Sequence, residues 1–399
     1  MTRTLTSVTN EAIRCIPPVG VRVPTVIYAA GGGEESASVL QRTIGCMAVL
    51  MDSGAPYSRD AVTLLVGRRM QTRMVDGVRV GDGATSLAAS HLLASTAWVK
   101  ACACSSTAEQ AQHLPVGAAA TCTLSGIHST RDHGDEAYVV VRHGASGRDV
   151  VEAHVRWAHK QQVCDRPEQS EVVSLVLLRA LLAARGGDGS PLLDPAEQIA
   201  YGVEDVTWRT YRRTVSLPPD GQDAYLPAFG TEWVPLPKLD PASDYLYSGS
   251  FRPLHHAHLH NRTQMDLQLA RRGILQLSRN HPMKGPIEPA RVQDLAAAAY
   301  GVCDVLVGED DGRYADKVAR WGLDVALGTD VFPYISDADR QQVVAQGRKL
   351  LLIGRPGSMG LSTIASAAAC DFPLVCLCPY DVSSTELRAH RDPSLAGST

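Results

Sequence analysis

The sequence predicts an α/β protein, because strand-like and helix-like segments alternate near both ends of the chain. Apolar residues make up 45% of the 399 residues and charged residues 20%, a balance that allows a sizeable buried core. Proline and glycine are concentrated between the two alternating regions. We therefore expect two related α/β halves, 1–114 and 291–399, separated by a middle region, 115–290, that contains a long insertion or lid.

Composition and charge exclude several classes of protein. A formal net charge of -4 argues against a general nucleic-acid binder. The sequence has no run of about 18 apolar residues that would predict a membrane-spanning helix, and 1–10 lacks the apolar segment of a secretory signal. Ten cysteines are too few for a disulfide scaffold of this length. We expect a cytoplasmic protein with free thiols, no metal or other cofactor, and no nucleic-acid or membrane partner.

The first half is predicted to alternate strands and helices. The apolar run 21–30 predicts a buried strand, and the glycines at 31–33 end it. Apolar residues at helical spacing predict a helix over 34–51. The short apolar run 60–67 is typical of a central strand, and 85–91 is a further strand candidate.

The middle region begins with elements of its own. Strands are predicted at 138–142 and 150–157, and a leucine-rich helix is predicted at 171–185. The following stretch, 186–252, is rich in proline and glycine, which favours an insertion, lid or linker.

The last third alternates strands with helices again. The predicted strands are 303–307, 324–328, 349–353 and 373–378, and the predicted helices are 291–300, 312–320 and 336–346. Residues 362–369 fit either a short helix or a strand.

A histidine cluster, His255, His256, His258 and His260, places four imidazoles within six residues. On a strand, His256, His258 and His260 would face one side, as in many zinc-dependent hydrolases, and Asp330 is a distant candidate ligand. Too little chain follows the cluster to build an eight-stranded barrel after it. We favour a cluster that faces solvent or a partner, and the metal-dependent hydrolase stays open as an alternative.

A glycine-rich turn, 354–360, follows the predicted strand 349–353. Its spacing is GxxGxxG rather than GxGxxG, and no Lys-Ser/Thr pair follows, which argues against a dinucleotide loop and a P-loop. It is either a tight turn between core elements or a loop whose backbone N–H groups, at Gly357 and Gly360, approach a substrate carbonyl as an oxyanion hole does.

Two stretches resemble the thiolase-fold condensing enzymes, specifically the ketoacyl-acyl carrier protein synthase III group. The first is 60–70, DAVTLLVGRRM, followed by the turn Gly81-Asp82-Gly83-Ala84. The second comprises 304–323, similar to the family's histidine-bearing strand and helix, and 328–362, similar to its asparagine turn, long helix, last core strand and glycine-rich loop. The order of these short motifs carries the resemblance.

The resemblance implies a thiolase-like layered fold, a homodimer or heterodimer, and an acyl-CoA or acyl carrier protein thioester as partner. In that family a cysteine accepts the acyl group, and a histidine and an asparagine support the chemistry. The resemblance implies a divergent member, because Glu309 stands where the motif has histidine and Asp330 or Thr329 where it has asparagine. The nucleophile position falls near 32–38, and Cys46 lies further along.

These departures favour acyl transfer over decarboxylative condensation. An ionised Glu309 would repel the charge of a thioester enolate, but it can act as a general base toward an alcohol or amine. The function expected from the resemblance is therefore acyl transfer in secondary metabolism, with Asp330 orienting the base or contacting substrate. The candidate catalytic residues are Cys46, Ser38, Glu309 and Asp330, and the candidate substrate-binding residues are Gly357, Gly360 and Asp82.

Two alternatives remain open from the sequence. The chain can be a non-catalytic subunit that completes a heterodimer with an active ketosynthase. It can also be a metal-dependent hydrolase that uses the histidine cluster.

Overall fold

A computed structural model of the chain divides into two compact units, Met1–Arg213 (unit 1) and Thr214–Thr399 (unit 2). Both contain helices and sheets, which confirms the predicted α/β class. The structure describes residues 3–18, 21–46, 49–56, 61–62, 65, 72–75, 78–81, 85–104, 114–124, 134–144, 147–157, 164–187, 192–228, 230, 232–249, 251, 254, 256–281, 285–300, 302–309, 312–354 and 361–377. In these ranges no helix has the length and apolar character needed to cross a membrane.

Unit 1 contains a six-stranded sheet and helices on both of its faces. Its described helices are α1 (Arg3–Arg14), α2 (Glu35–Arg42), α3 (Leu87–Cys104), α4 (Arg166–Ala184) and α5 (Pro195–Ala200). Its strands are β1 (Thr25–Ala30), β2 (Leu50–Gly54), β3 (Thr72–Val75), β4 (Val78–Gly81), β5 (Val116–Thr123), β6 (Glu136–His143), β7 (Asp149–Trp157) and β8 (Val203–Arg212).

The sheet of unit 1 has the order β2-β1-β5-β6-β7-β8, and β3 pairs separately with β4. Strand β1 is parallel to β2 and β5, whereas β5 to β8 pair antiparallel. Because Thr25 pairs with Val116, the predicted boundary at residue 114 falls inside one sheet. Residues after 114 therefore complete unit 1 rather than begin an insertion.

The core of unit 1 lies between this sheet and α4. Helix α4 packs against the sheet on one side and against α1 and α2 on the other, so it is apolar around most of its circumference. It starts with a capping box between Asp165 and Glu168, earlier than the predicted 171. Helix α3 packs on the other face so closely that a Cβ added to Gly117 would lie 2.1 Å from the backbone nitrogen of Trp98.

Three predictions for the first half are wrong in detail. The helix predicted over 34–51 ends at Arg42, and its last residues belong to β2, because parallel pairing with β1 outweighs the local periodicity. The strand predicted at 85–91 is the start of α3, where the Ser86 hydroxyl accepts a hydrogen bond from the Ala89 N–H. The described residues of 60–67 are helical rather than extended.

Unit 2 contains an eight-stranded sheet. Its described helices are α6 (His256–Leu269), α7 (Pro289–Ala299), α8 (Tyr314–Trp321), α9 (Asp337–Ala345) and α10 (Leu361–Ala369), with a 3-10 turn at Phe332–Tyr334. Its strands are β9 (Ala224–Leu226), β10 (Val234–Pro235), β11 (Asp244–Ser248), β12 (Arg272–Ser278), β13 (Asn280–His281), β14 (Gly285–Pro286), β15 (Val305–Gly308), β16 (Val325–Gly328), β17 (Leu350–Gly354) and β18 (Leu374–Leu377).

Six strands of this sheet are parallel, in the order β15-β12-β11-β16-β17-β18. Numbered along the chain from β11, that order is 3-2-1-4-5-6. Strand β9 adds antiparallel to β15, and β10 pairs with β9. Five of the parallel strands, β15, β12, β11, β16 and β17, are buried along nearly their whole length, as expected for strands covered by helices on both faces, whereas most of the edge strand β18 is exposed.

The alternation predicted for the last third is confirmed, since each predicted strand and helix there overlaps an observed element. The ambiguous segment 362–369 is helix α10. The predicted boundary at 290 falls inside unit 2, because β11 and β12 precede it and pair with later strands. The proline-rich stretch 186–252 contains α5 and β8 to β11 and is divided between the two units.

Candidate functional site

The candidate site lies at the carboxyl edge of the parallel sheet in unit 2. Because the six strands are parallel, all their carboxyl ends lie along one edge. The strand order reverses between β11 and β16, the first and fourth of the series, so the connections that follow these strands leave toward opposite faces. In doubly wound sheets such a divergence opens a crevice at that edge, and ligands bind in this position.

Phe251, which lies between β11 and α6, contacts two other aromatic rings. Phe251 has a φ of +43°, which is rare for a residue other than glycine and marks local backbone strain. Its ring lies edge-on to Tyr247, with centroids 5.3 Å apart, and to His258, 5.1 Å apart. His258 is only 6% exposed. The ring contacts therefore place Phe251 between the end of β11 and the start of α6.

His256, His258 and His260 lie at the start of α6 and not on a strand, the element that the metal-dependent alternative would need. On a helix, positions 256 and 260 share a face and position 258 lies on another, which separates imidazoles that a strand would align. Burial lowers the pKa of His260. His255 lies outside the described residues. In the described ranges no group of three His, Cys, Asp or Glu side chains is arranged to hold a metal ion.

A buried lysine lies beside this connection. Lys317 on α8 is 4% exposed, and its Nζ donates to Ser248 Oγ at 2.6 Å and to Gln276 Oε1 at 2.8 Å. Ser248 Oγ donates in turn to Gln276 Oε1 at 2.7 Å. Ser248 is the last residue of β11, so the ammonium group lies at the carboxyl edge. An ammonium removed from water favours an anion beside it.

The predicted base, Glu309, follows β15 and forms an ion pair and a hydrogen bond with its neighbours. Its carboxylate forms an ion pair with Arg279 Nε, and its backbone N–H donates to Asp223 Oδ1 at 3.0 Å. Burial would raise the pKa of Asp223, but hydrogen bonds from Arg320, the Glu309 N–H and Trp321 outweigh it and lower that pKa. The acidic side chains at this end of the edge are thus oriented by protein partners.

The two predicted catalytic carboxylates of unit 2 lie at the same edge but not together. Asp330 is exposed and follows β16, next to the buried Thr329. Strands β12 and β11 lie between β15 and β16, so Glu309 and Asp330 are three strand spacings apart, about 14 Å. A direct hydrogen bond between them would require about 3 Å. The structure does not bring them together as a base and its orienter.

The predicted nucleophiles lie in unit 1. Ser38 is half-buried and accepts a hydrogen bond from Arg42, and buried Ser36 donates through Oγ to the Gly33 carbonyl at 2.7 Å. Cys46 is half-buried in the turn after α2, rather than inside a helix as predicted, and its Sγ donates to the Gln41 carbonyl at 3.4 Å. Gly357, Gly360 and Asp82 lie outside the described residues.

Sequence reasoning missed β11 and Lys317, the two features that define this edge. β11 lies in the proline-rich stretch, which we assigned to an insertion. Lys317 lies in the correctly predicted helix 312–320, and the available signal was a lysine beside the apolar positions Ala315 and Val318.

Comparisons with known proteins assign no family to the chain. No family model and no curated protein matches it. Among solved structures it is similar to the competence/damage inducible protein CihA from Agrobacterium tumefaciens, at 16% identity and a TM-score of 0.30, over 46% of this chain and 98% of that chain. It is also similar to a Competence-Damaged Protein (CinA) superfamily protein from Klebsiella pneumoniae, at 12% identity and a TM-score of 0.26, over 48% and 98%. At such TM-scores neither similarity supports an inference.

Proposed function

We propose that unit 2 binds a nucleotide in the crevice between the carboxyl ends of β11 and β16, and catalyses group transfer at one of its phosphates. The observation that carries the proposal is the parallel strand order 3-2-1-4-5-6 with its reversal between these two strands. That arrangement binds nucleotides across the reversal point, with the phosphates at the start of the helix after the first strand. Helix α6 occupies that place in unit 2.

Two sources of positive potential support phosphate binding there. The start of a helix carries a partial positive charge and unpaired backbone N–H groups, both of which favour an anion. Lys317 adds a full charge at the carboxyl end of β11. Both lie beside the β11–α6 connection, the part of the crevice where the phosphates of a bound nucleotide would lie.

The sequence of that connection favours transfer at phosphorus over hydride transfer. A dinucleotide loop needs closely spaced glycines so that its backbone can approach the pyrophosphate, and 249–254 contains only Gly249. The start of α6 instead carries His256, His258 and His260, and burial of His260 favours its neutral form, which can accept a proton. As the acceptor oxygen bonds to phosphorus and the bond to the leaving oxygen breaks, a neutral imidazole can take the proton from the acceptor and pass it to the leaving oxygen. We therefore take a nucleoside triphosphate as the substrate class to test.

Calorimetric titration of the full chain with Mg-ATP tests the proposal. We expect saturable binding that Lys317→Met weakens about tenfold, equivalent to about 1.4 kcal/mol. Lys349→Met is the matched control, because Lys349 is a half-exposed lysine of unit 2 paired with Asp371 outside the parallel edge. Phosphorus NMR of the bound nucleotide then shows which phosphate bond is broken. Absence of binding at millimolar ATP, or equal weakening by both variants, would contradict the proposal.

Acyl transfer and the thiolase-like layering stay predictions. Ser38 and Cys46 are partly accessible, as an acyl acceptor must be, although they lie in a different unit from Glu309. Intact mass after incubation with acyl-CoA donors tests this alternative, and an adduct mapped to Cys46, Ser36 or Ser38 would favour it over nucleotide chemistry.

A further inference from the structure

The edge of the unit 1 sheet is a long strand with exposed side chains. Strand β8 has ten residues and, among the described strands, pairs only with β7. Most of its side chains are exposed or half-buried. An exposed edge of this length presents backbone groups to which another strand can add.

The hydrogen bonds at one end of β8 show which of its backbone groups point outward. Arg213 N–H donates to the Arg148 carbonyl at 2.9 Å, so these opposite residues form a hydrogen-bonded pair. Such pairs recur at every second residue of an antiparallel ladder. Thr207 and Arg209 therefore direct their N–H and C=O groups toward β7, and Val206 directs its own away.

The same alternation turns the backbone groups of Trp208 and Thr210 outward. In the described residues the outward groups of Val206, Trp208 and Thr210 have no backbone partner. Exposed backbone groups are hydrated at little cost, but they are also the groups that a second strand would pair.

We propose that β8 pairs antiparallel with β8 of a second copy of this chain, about a two-fold axis at Thr207. In this register the outward N–H and C=O groups of Val206 pair with those of the partner's Trp208. By symmetry, those of Trp208 pair with the partner's Val206. A shift by one residue would set outward groups against inward groups, so the hydrogen-bond pattern excludes it. The partner is another copy because the pairing is self-complementary.

Charge supports this register. Asp205 lies opposite the partner's Arg209, and Arg209 opposite the partner's Asp205, at positions where opposite Cα atoms are about 4.5 Å apart. Within one chain, Asp205 already pairs with Arg156 at 3.0 Å, and Arg209 pairs with Glu152. The interface would join the two pairs into one row of alternating charge. A shift by two residues places Asp205 opposite Thr207 or Tyr211 and loses both contacts.

Light scattering of the full chain gives the first test. We expect twice the chain mass of 42.7 kDa for the natural sequence. Val206→Pro removes an outward N–H without touching the ladder to β7 and should yield the monomer. Val206→Ala is the matched control, because it shortens the same side chain but keeps the N–H, and it should remain dimeric. A monomeric natural protein, or a dimer that survives Val206→Pro, would overturn the proposal.

A cysteine on the axis tests the register and does not depend on the proline variant folding. Residues at position 207 of the two copies would have Cα atoms about 4.5 Å apart, within disulfide range. Thr207→Cys should therefore form a disulfide-linked dimer on mild oxidation, mapped by digestion to position 207 of both chains. In Thr210→Cys the two cysteines would be about 20 Å apart and should not link. Linking through position 210, or none through 207, would contradict the register.

Discussion

The two units surround a buried charged side chain with different partners. In unit 1, Glu152 is enclosed by donors: His91 Nε2 lies 3.0 Å from one carboxylate oxygen, the Tyr211 hydroxyl donates to that same oxygen at 3.0 Å, and Arg209 Nη2 lies 2.9 Å from the other. In unit 2, Lys317 donates to a hydroxyl and an amide oxygen at the end of a strand. Glu152 therefore connects neighbouring strands and a helix, whereas Lys317 places a positive charge at the carboxyl edge of the unit 2 sheet.

The partners of Glu152 also determine its protonation. Burial would raise the pKa of Glu152, but the hydrogen bond with His91, the hydrogen bond from Tyr211 and the charge of Arg209 outweigh it and lower that pKa to about 2. Burial lowers the pKa of His91, against the pull of Glu152. The carboxylate thus stays charged at neutral pH and keeps β7, β8 and α3 connected.

The largest expected effect is on stability in unit 1. Glu152→Ala should lower the free energy of unfolding by about 3 kcal/mol, because it leaves the buried His91 nitrogen without its acceptor and releases Tyr211. Urea denaturation measures this. Glu204→Ala removes an exposed carboxylate of the same sheet and should change stability by less than about 0.5 kcal/mol. Equal effects of the two variants would show that the Glu152 cluster does not anchor the sheet.

The strand-helix alternation of unit 2 could be predicted because each segment is short, apolar and bounded by polar turns. The predicted strand 349–353 is observed as Leu350–Gly354 for this reason. Strand β11, Asp244–Ser248, was not predicted because it is buried on both faces and therefore lacks the alternation of a half-exposed strand. Prolines on both sides of it also favoured a loop. Its neighbours β12 and β16 come from later in the chain, and such pairing cannot be inferred from local pattern.

The candidate site could be predicted only in part. The histidine cluster was noticed, but its secondary structure was left open because alternation and the start of a helix cannot be distinguished over six residues. Asp330 and Glu309 were selected by resemblance, and the sheet order then placed them about 14 Å apart. Lys317 has no local signal of its role, since its partners Ser248 and Gln276 lie 69 and 41 residues away.

A second, smaller effect concerns acid. Because the pKa of Glu152 falls from about 4.5 to about 2 on folding, its contribution is complete above pH 4.5 and is lost as the pH falls toward 2. Between pH 7 and pH 3 the natural protein should lose about 2 kcal/mol through this group. Glu152→Gln cannot lose it, so the difference in unfolding free energy between the two proteins should narrow by that amount at pH 3. A constant difference would show that Glu152 has no lowered pKa.

The smallest expected effect on stability is that of replacing Lys317, and it distinguishes the role of this lysine from that of Glu152. Lys317→Met removes a buried ammonium, whose desolvation cost offsets its hydrogen bonds, and Ser248 Oγ can still donate to Gln276 Oε1. We therefore expect the free energy of unfolding to change by less than about 1 kcal/mol in urea. Under the proposed function, a saturating nucleotide should stabilise the natural protein by mass action and stabilise Lys317→Met less. If Lys317→Met instead cost as much as Glu152→Ala, with or without nucleotide, the lysine would be a structural anchor, and the electrostatic support for phosphate binding at this edge would rest on the start of α6 alone.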